Sequence, residues 1–413
     1  MKKLLILGAS PDFVIFVESA KAKGLYTIAL DGNPKGPAKT IADKSYDIDV
    51  RNIDEIEKIC RKEKIDGIVT GCSEVLLESY VELANRLSLP CYLTREQLKQ
   101  VRVKSITKEK LLNAGVKVPR NTQIGKDFSD EDLKGFKWPL IIKPEDGYGS
   151  KGIFIVENIE QIREKFDESI KYSSLQYNAV EEYCFDPEYN IFFWVEDGKP
   201  HILYISDRLT IGKDINNIGY CSDCIYQSKI FDEIYPLAID VCKRIVTEFK
   251  LEHGTFSLQI FYSPENGIQV CELAGRVFGA GESLTCRMLT GISPEVLLID
   301  FAIGKKSNVN WSNLKINPQN RYAILYMYAH PGKIRKISGE DFIANNPNIF
   351  SYYLYLNTGE EIHPNGNRDA TVAYFCINCI DDLQTIYKDI YRNFRILDSG
   401  NRNLISFVDK ILQ

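Results

Sequence analysis

The chain has no stripe rich in lysine and arginine. Its 51 basic residues are outnumbered by 56 acidic ones, for a net charge of −5. That balance argues against nucleic acid or an anionic membrane as the main partner. No apolar run approaches the roughly 18 residues of a membrane-spanning helix. The N-terminal Met1-Lys2-Lys3-Leu4-Leu5-Ile6-Leu7-Gly8 is too short an apolar stretch for a secretory signal and reads as a first strand. Eleven cysteines without such a signal are expected to be reduced thiols in a cytoplasmic protein. Two C-x-x-C pairs, Cys221/Cys224 and Cys376/Cys379, together have the ligand count of a zinc site. They lie far apart in sequence, so buried or incidental thiols are the expectation. No internal repeat or low-complexity segment stands out.

What is present is the composition of a globular protein of two to four domains: 413 residues, 44% hydrophobic and 26% charged. Residues 1–90 alternate strand and helix. Strands are expected at Lys3–Leu7, Tyr26–Leu30, Gly67–Val69 and Pro90–Tyr92, and helices at Pro11–Lys23, Ile53–Glu63 and Val75–Leu87. That series is an α/β, doubly wound parallel sheet. Gly8 and Asp31 stand where a nucleotide-binding fold keeps its turn glycine and ribose acid, but one glycine is a weak signal. Leu93–Gly115 reads as two helices stopped by glycine and then proline. Hairpins are expected at Asn190–Val195 with His201–Ile205, and at Thr255–Phe261 with Gly267–Leu273. Helices are expected at Ile159–Tyr172, Pro236–Phe249 and Ser293–Ala302. The chain closes with an α+β segment holding strands at Arg321–Tyr328, Ser351–Leu356 and Ala370–Cys376 and a helix at Asp381–Ile390.

Residues 139–153 read PLIIKPEDGYGSKGI. Gly147, Gly149 and Gly152 spell G-x-G-x-x-G, but the flanks refuse the dinucleotide fingerprint. There the third glycine must open a helix. Here Gly152 leads into the β-branched run Ile153–Val156. A kinase-like flap is also refused, because Lys143 precedes the loop and no H-R-D or D-F-G follows. A hairpin remains, whose glycines let backbone N–H groups lie against phosphate oxygens. A flexible hairpin without ligand is the alternative reading of the loop taken alone.

The chemistry that would use such a loop is carboxylate activation by ATP. It requires cations on the phosphates, an edge for adenine, oxygens for Mg²⁺ and a charge to stabilise the transition state. Lys104, Lys143 and Lys151 are candidate phosphate cations. Val180-Glu181-Glu182-Tyr183-Cys184 could offer backbone groups to adenine, and Glu188 could accept from ribose hydroxyls. Gln259 and Glu272, on neighbouring hairpin strands, could aim two oxygens at one Mg²⁺. Arg276, just beyond, could hold a developing oxyanion. Taken singly, each has a plain reading as a surface side chain or a surface pair.

Taken in order, these parts resemble the ATP-grasp ligase family over nearly the whole chain. The resemblance rests on Lys104 before "GVKVP" and on "PLIIKPEDGYGSKGI", "VEEYCFDPEYN", "TFSLQIFY" and "QVCELAGRVFGAGE". It is strongest to the branch holding carbamoyl-phosphate synthetase, biotin carboxylase, purine-pathway ligases and L-amino-acid ligases. The resemblance implies a Rossmann-like domain over residues 1–103, a two-lobed grasp domain over 104–305 with a mobile lid near 115–180, and a C-terminal α+β lobe over 306–413. It implies ATP and Mg²⁺ (or Mn²⁺) as cofactors. Lys104 and Lys143 would bind phosphates. Gly147, Gly149, Ser150, Lys151 and Gly152 would form the flap. Glu181, Glu182, Tyr183 and Cys184 would form the adenine hinge, with Glu188 near the ribose. Gln259 and Glu272 would be metal ligands and Arg276 catalytic. The expected activity is ligation of a small carboxylate, an amino acid or similar, to an amine through an acyl phosphate, with a homodimer as the expected assembly. Three departures qualify it, the first being that Gln259 stands where glutamate is common. Ala274 stands where the family has an asparagine oxygen, and Ala280 where biotin carboxylase has a glutamate. Ala280 disfavours carboxylation of biotin, and Ala274 keeps a non-catalytic ATP-binding module as an alternative; a purine-pathway ligase of the phosphoribosylamine–glycine type is the other.

Overall fold

The computed structural model describes residues 1–213, 218–277, 279, 281–314, 321–366, 368–378 and 382–413; Cys379, Ala280 and Asp381 lie outside the described residues. The N-terminal parallel sheet holds the apolar strands β1 (Lys3–Leu7), β2 (Tyr26–Asp31) and β4 (Gly67–Thr70) and the polar edge strand β3 (Lys44–Asp47), in the order β3-β2-β1-β4. Leu4 to Leu7 are fully buried, as a strand covered on both faces must be. Helices α1 (Val14–Ala22), α2 (Pro37–Ile41), α3 (Ile53–Glu63) and α4 (Glu74–Leu87) accompany this sheet. The expected strand at Pro90–Tyr92 does not form. Tyr92 instead sets its ring edge-on to Phe256 at 6.4 Å and donates its hydroxyl to the Gly275 carbonyl at 2.9 Å. That segment ties the N-terminal unit to the central sheet. Asp31 is likewise used locally: its carboxylate accepts from the Ala9 and Asn33 N–H groups.

Two helices follow, α5 (Arg95–Arg102) and α6 (Lys104–Asn113). A small antiparallel sheet then holds β5 (Asn121–Ile124), β6 (Leu140–Pro144), β7 (Phe154–Val156) and β8 (Asn178–Glu182), in the order β5-β8-β6-β7. It carries α7 (Ile159–Ile170) and has its own core, which includes Leu140, Ile142, Phe166 and Val180. The glycine loop is therefore a β6–β7 hairpin, as its flanks imply.

The largest sheet is antiparallel and eight-stranded. It contains β9 (Glu188–Glu196), β10 (Lys199–Ile211), β11 (Tyr220–Tyr226), β12 (Gly254–Ser263), β13 (Gly267–Ala274) and β14 (Tyr322–Ala329), then Ala370–Asn378 and Ile349–Leu354. The order runs β13-β12-β9-β10-β11-β14, followed by the last two in that sequence. The C-terminal segment thus extends the sheet that bears Gln259 and Glu272. Helices α8 (Phe231–Glu248), α9 (Glu282–Thr290) and α10 (Pro294–Ala302) complete this part. No helix among the described residues is long and apolar enough to cross a membrane.

Candidate active site

Lys143 is the penultimate residue of β6, which ends at Pro144 just before the hairpin loop. Across the ladder, Ile141 pairs with Glu181 of β8, so Lys143 and Glu181 share a face. Their side chains form an ion pair at 2.8 Å. Burial opposes the Lys143 charge, but Glu181, Cys271 and Glu272 hold its ammonium above the usual lysine range. Sequence reasoning missed Lys108. It reaches the other side of Glu181 at 3.5 Å and donates to the Val270 carbonyl at 3.1 Å. Glu181 therefore joins α6, β6 and β8 through two buried lysines.

Lys104 opens α6. Its backbone N–H donates to the Glu145 carbonyl at 3.1 Å, and its ammonium donates to the Gly147 carbonyl at 2.8 Å. Burial pushes that ammonium down to about 8. The loop is shaped by its glycines where space demands it. At Gly152, with φ +68°, a Cβ would lie 2.8 Å from the Ser169 carbonyl oxygen, so a side chain there has no room. Asp146 fixes the loop's base by accepting from Ser173 and Ser174.

On the facing sheet, Gln259 of β12 stands directly opposite Glu272 of β13, beside a bulge whose extra residue is Cys271. Ser257 opposite Ala274 continues the same row. Glu272 is exposed to the cleft, and its charge is felt by Lys104, Lys143 and Arg276. Gln259 donates to Glu188 at 2.9 Å, which leaves its amide oxygen for a ligand. Glu188 also accepts from Arg208, a second residue that sequence reasoning missed. Arg276 is held by a third: its guanidinium pairs with Glu74 at the start of α4, with Nε–Oε1 at 2.6 Å.

These groups meet in one place. A cavity of about 120 Å³ is lined by Lys104, Lys143, the loop from Gly147 to Lys151, Glu181 to Cys184, Glu188, Gln259 and Glu272. A smaller adjoining one of about 30 Å³ shares Lys104, Lys143, Gly147 and Glu272 and adds Arg276. Of the site residues expected from sequence, only Gly152 lines neither; it packs against Tyr172 and Ser169 where the loop returns. At the hinge, the Glu182 and Tyr183 N–H groups donate to the Arg120 and Pro139 carbonyls, and Cys184 lies next along the chain. One carboxylate and one amide suit Mg²⁺, which keeps few protein oxygens and fills its shell with phosphate and water. Among the described residues no group of three or more His, Cys, Asp or Glu could hold a metal by itself. Cys221 and Cys224 are free thiols 3.7 Å apart, and Cys379 of the second pair lies outside the described residues.

Residues 136–285 match the ATP-grasp domain family. The formate-dependent phosphoribosylglycinamide formyltransferase of Sulfurisphaera tokodaii is 26% identical over 297 residues, covering 68% of this chain and 71% of that protein. The fold is similar to a solved L-amino acid ligase from Bacillus licheniformis, with a TM-score of 0.81 at 17% identity over 97% of this chain and 99% of that one. It is also similar to the biotin carboxylase domain of the Hydrogenobacter thermophilus 2-oxoglutarate carboxylase, solved with MgADP and bicarbonate. That match has a TM-score of 0.79 at 16% identity, over 100% of this chain and 93% of that one.

Proposed function

The chain carries an ATP-grasp domain, and from that premise we propose that it is an ATP-dependent carboxylate–amine ligase, joining an amino acid or related small carboxylate to an amine with release of ADP and phosphate. The observation that carries this reading is the position of Glu272. Its carboxylate stands within the fields of Lys104, Lys143 and Arg276, beneath the glycine hairpin and opposite Gln259. The residues fit MgATP. Gln259 and Glu272 would hold the metal, which when bound neutralises phosphate charge and polarises the transferred phosphoryl group.

The chain's own groups would do the rest. Lys143, kept charged by Glu181, and Lys104 present fixed cations to the phosphates. Lys104 also grips the hairpin through the Gly147 carbonyl, which couples phosphate binding to the flap's position. Glu182 to Cys184 offer the adenine edge, and Glu188, oriented by Arg208 and Gln259, accepts from the ribose. Arg276, anchored by Glu74, presents a preorganised guanidinium to the oxyanion that forms as the amine attacks the activated carboxylate. Closure of the hairpin excludes water from the acyl phosphate. The boundaries 1–103, 104–305 and 306–413, a cytoplasmic location and a homodimer belong to the same proposal.

The S. tokodaii relative's name favours a second reading, a purine-pathway ligase on a phosphoribosyl substrate. ADP release measured over a matrix of carboxylate–amine pairs tests the proposal. Turnover that requires both partners supports it. MgATP binding without turnover for any pair counts against it.

A further inference from the structure

Beyond Arg276 lies a separate cavity of about 220 Å³, between the N-terminal unit and the C-terminal strands. Its walls include Asp12, Cys72, Val277, Glu282 and Tyr374, with Glu18 and Arg287 exposed at its edge. It adjoins the reaction centre directly. Arg276 donates to the Val277 carbonyl at 3.0 Å, and the Arg276 charge is felt by both Cys72 and Glu282.

Its character is acidic and aromatic. Asp12 accepts from the Gly281 N–H at 3.2 Å. Tyr374 is flanked by Tyr353 and Tyr355, with centroids 6.4 and 6.0 Å away, and those two rings are 5.4 Å apart. Burial and the Asp12 charge push all three phenols above their usual range, and Asp12 and Tyr374 line the same cavity. Gly281 keeps this wall close: at φ +79°, a Cβ there would lie 2.6 Å from Cys376 Sγ and 3.1 Å from Tyr374. Of the described lining residues, Arg287 is the one basic side chain, and it is exposed.

We infer that this cavity seats the acceptor amine, taken up as an ammonium between the Asp12 carboxylate and the Tyr374 ring, and that it rejects phosphorylated sugars. The inference rests on the ligase reading and deepens it. A carboxylate and a π face are both complementary to an ammonium. A phosphate dianion would face Asp12 and Glu18 with one exposed arginine to offset them, which is a like-charge arrangement. The ammonium gives up a proton to the Asp12 carboxylate, and the free amine then passes Val277 to attack the carbonyl held at Arg276, with phosphate as the leaving group.

Calorimetry on the full chain saturated with MgADP tests this, with alaninamide as the ammonium probe and ribose 5-phosphate as the sugar phosphate. Alaninamide binds the wild type. Asp12→Asn, which keeps an acceptor for Gly281, weakens it roughly ten- to hundred-fold and leaves MgADP affinity unchanged. Tyr374→Leu, a second variant, also weakens it. The inference is overturned if alaninamide fails to bind the wild type, if Asp12→Asn and Tyr374→Leu both bind it as the wild type does, or if ribose 5-phosphate binds instead. Failure of MgADP itself to bind would sink the ligase reading, and alaninamide titrated into the nucleotide-free chain would still decide the cavity.

Discussion

Replacing Glu282 by glutamine isolates one buried charge. Glu282 opens α9, is only 4% exposed and accepts from the Tyr204 hydroxyl. Burial raises its carboxyl from the ordinary 4.5 to about 7, against the Tyr204 and Tyr226 hydroxyls and Arg276. The folded chain therefore holds a proton that the unfolded chain has lost between those two values. Stability from this group is intact below 4.5, falls as pH rises through the window, and levels off above 7. At about 1.4 kcal/mol per pH unit, the full penalty is roughly 3 kcal/mol. For 413 residues and an unfolding entropy of about 2 cal/mol/K per residue, that is a Tm difference of about 3–4 °C. Scanning calorimetry of wild type and Glu282→Gln at pH 5, 6, 7 and 8 reads it. Any constant offset from the altered hydrogen bonds cancels, because the quantity of interest is the change with pH. The variant gains on the wild type up to pH 7 and then runs parallel to it. A difference that is flat with pH, or that shrinks as pH rises, would refute the burial argument.

Three further outcomes are expected. Glu181→Ala leaves Lys143 and Lys108 buried and facing each other, and should cost on the order of 3–5 kcal/mol in urea unfolding; a loss below about 1 kcal/mol would mean that solvent reaches the pair. Ala274→Asn returns an oxygen to the row holding Glu272 and should tighten Mn²⁺ binding severalfold in the presence of ADP, measured by electron paramagnetic resonance of free Mn²⁺. No change there would say that Ala274 does not face the metal. Gly152→Val meets the Ser169 carbonyl and should weaken MgADP binding in titration calorimetry more than Gly149→Ala, which carries the backbone strain of φ +65° but has nothing within 4 Å of its Cβ; equal effects would put the loop's shape in doubt.

Much of this arrangement was legible from sequence because it is local. A hairpin needs its glycines and its apolar flanks within about fifteen residues, and PLIIKPEDGYGSKGI supplies both. Gln259 and Glu272 could be paired because one short turn fixes their register. What escaped was non-local or masked by polarity. Lys108, Glu74 and Arg208 look like ordinary surface residues until the fold buries them against Glu181, Arg276 and Glu188. Asp12 and Tyr374 are more than 350 positions apart and meet only through tertiary packing. β3 escaped because Lys44-Ser45-Tyr46-Asp47 is a half-exposed edge. β11 escaped because the register slips between Leu209 and Thr210, with Ser222 the extra residue, which breaks the alternation a strand is read by. The Pro90–Tyr92 expectation failed for the opposite reason: an apolar, aromatic stretch was used to join two units instead of pairing in a sheet.

The central claim is that a nucleotide lies between the glycine hairpin and Glu272 with a metal at its phosphates. Titration calorimetry of ADP into the full chain, with and without Mg²⁺, tests it most directly, repeated on Lys143→Ala and Glu272→Ala. The account predicts saturable binding that tightens with Mg²⁺ in the wild type, loses its Mg²⁺ dependence in Glu272→Ala and weakens at least tenfold in Lys143→Ala. Binding indifferent to both substitutions, or no binding with Mg²⁺ present, would contradict it.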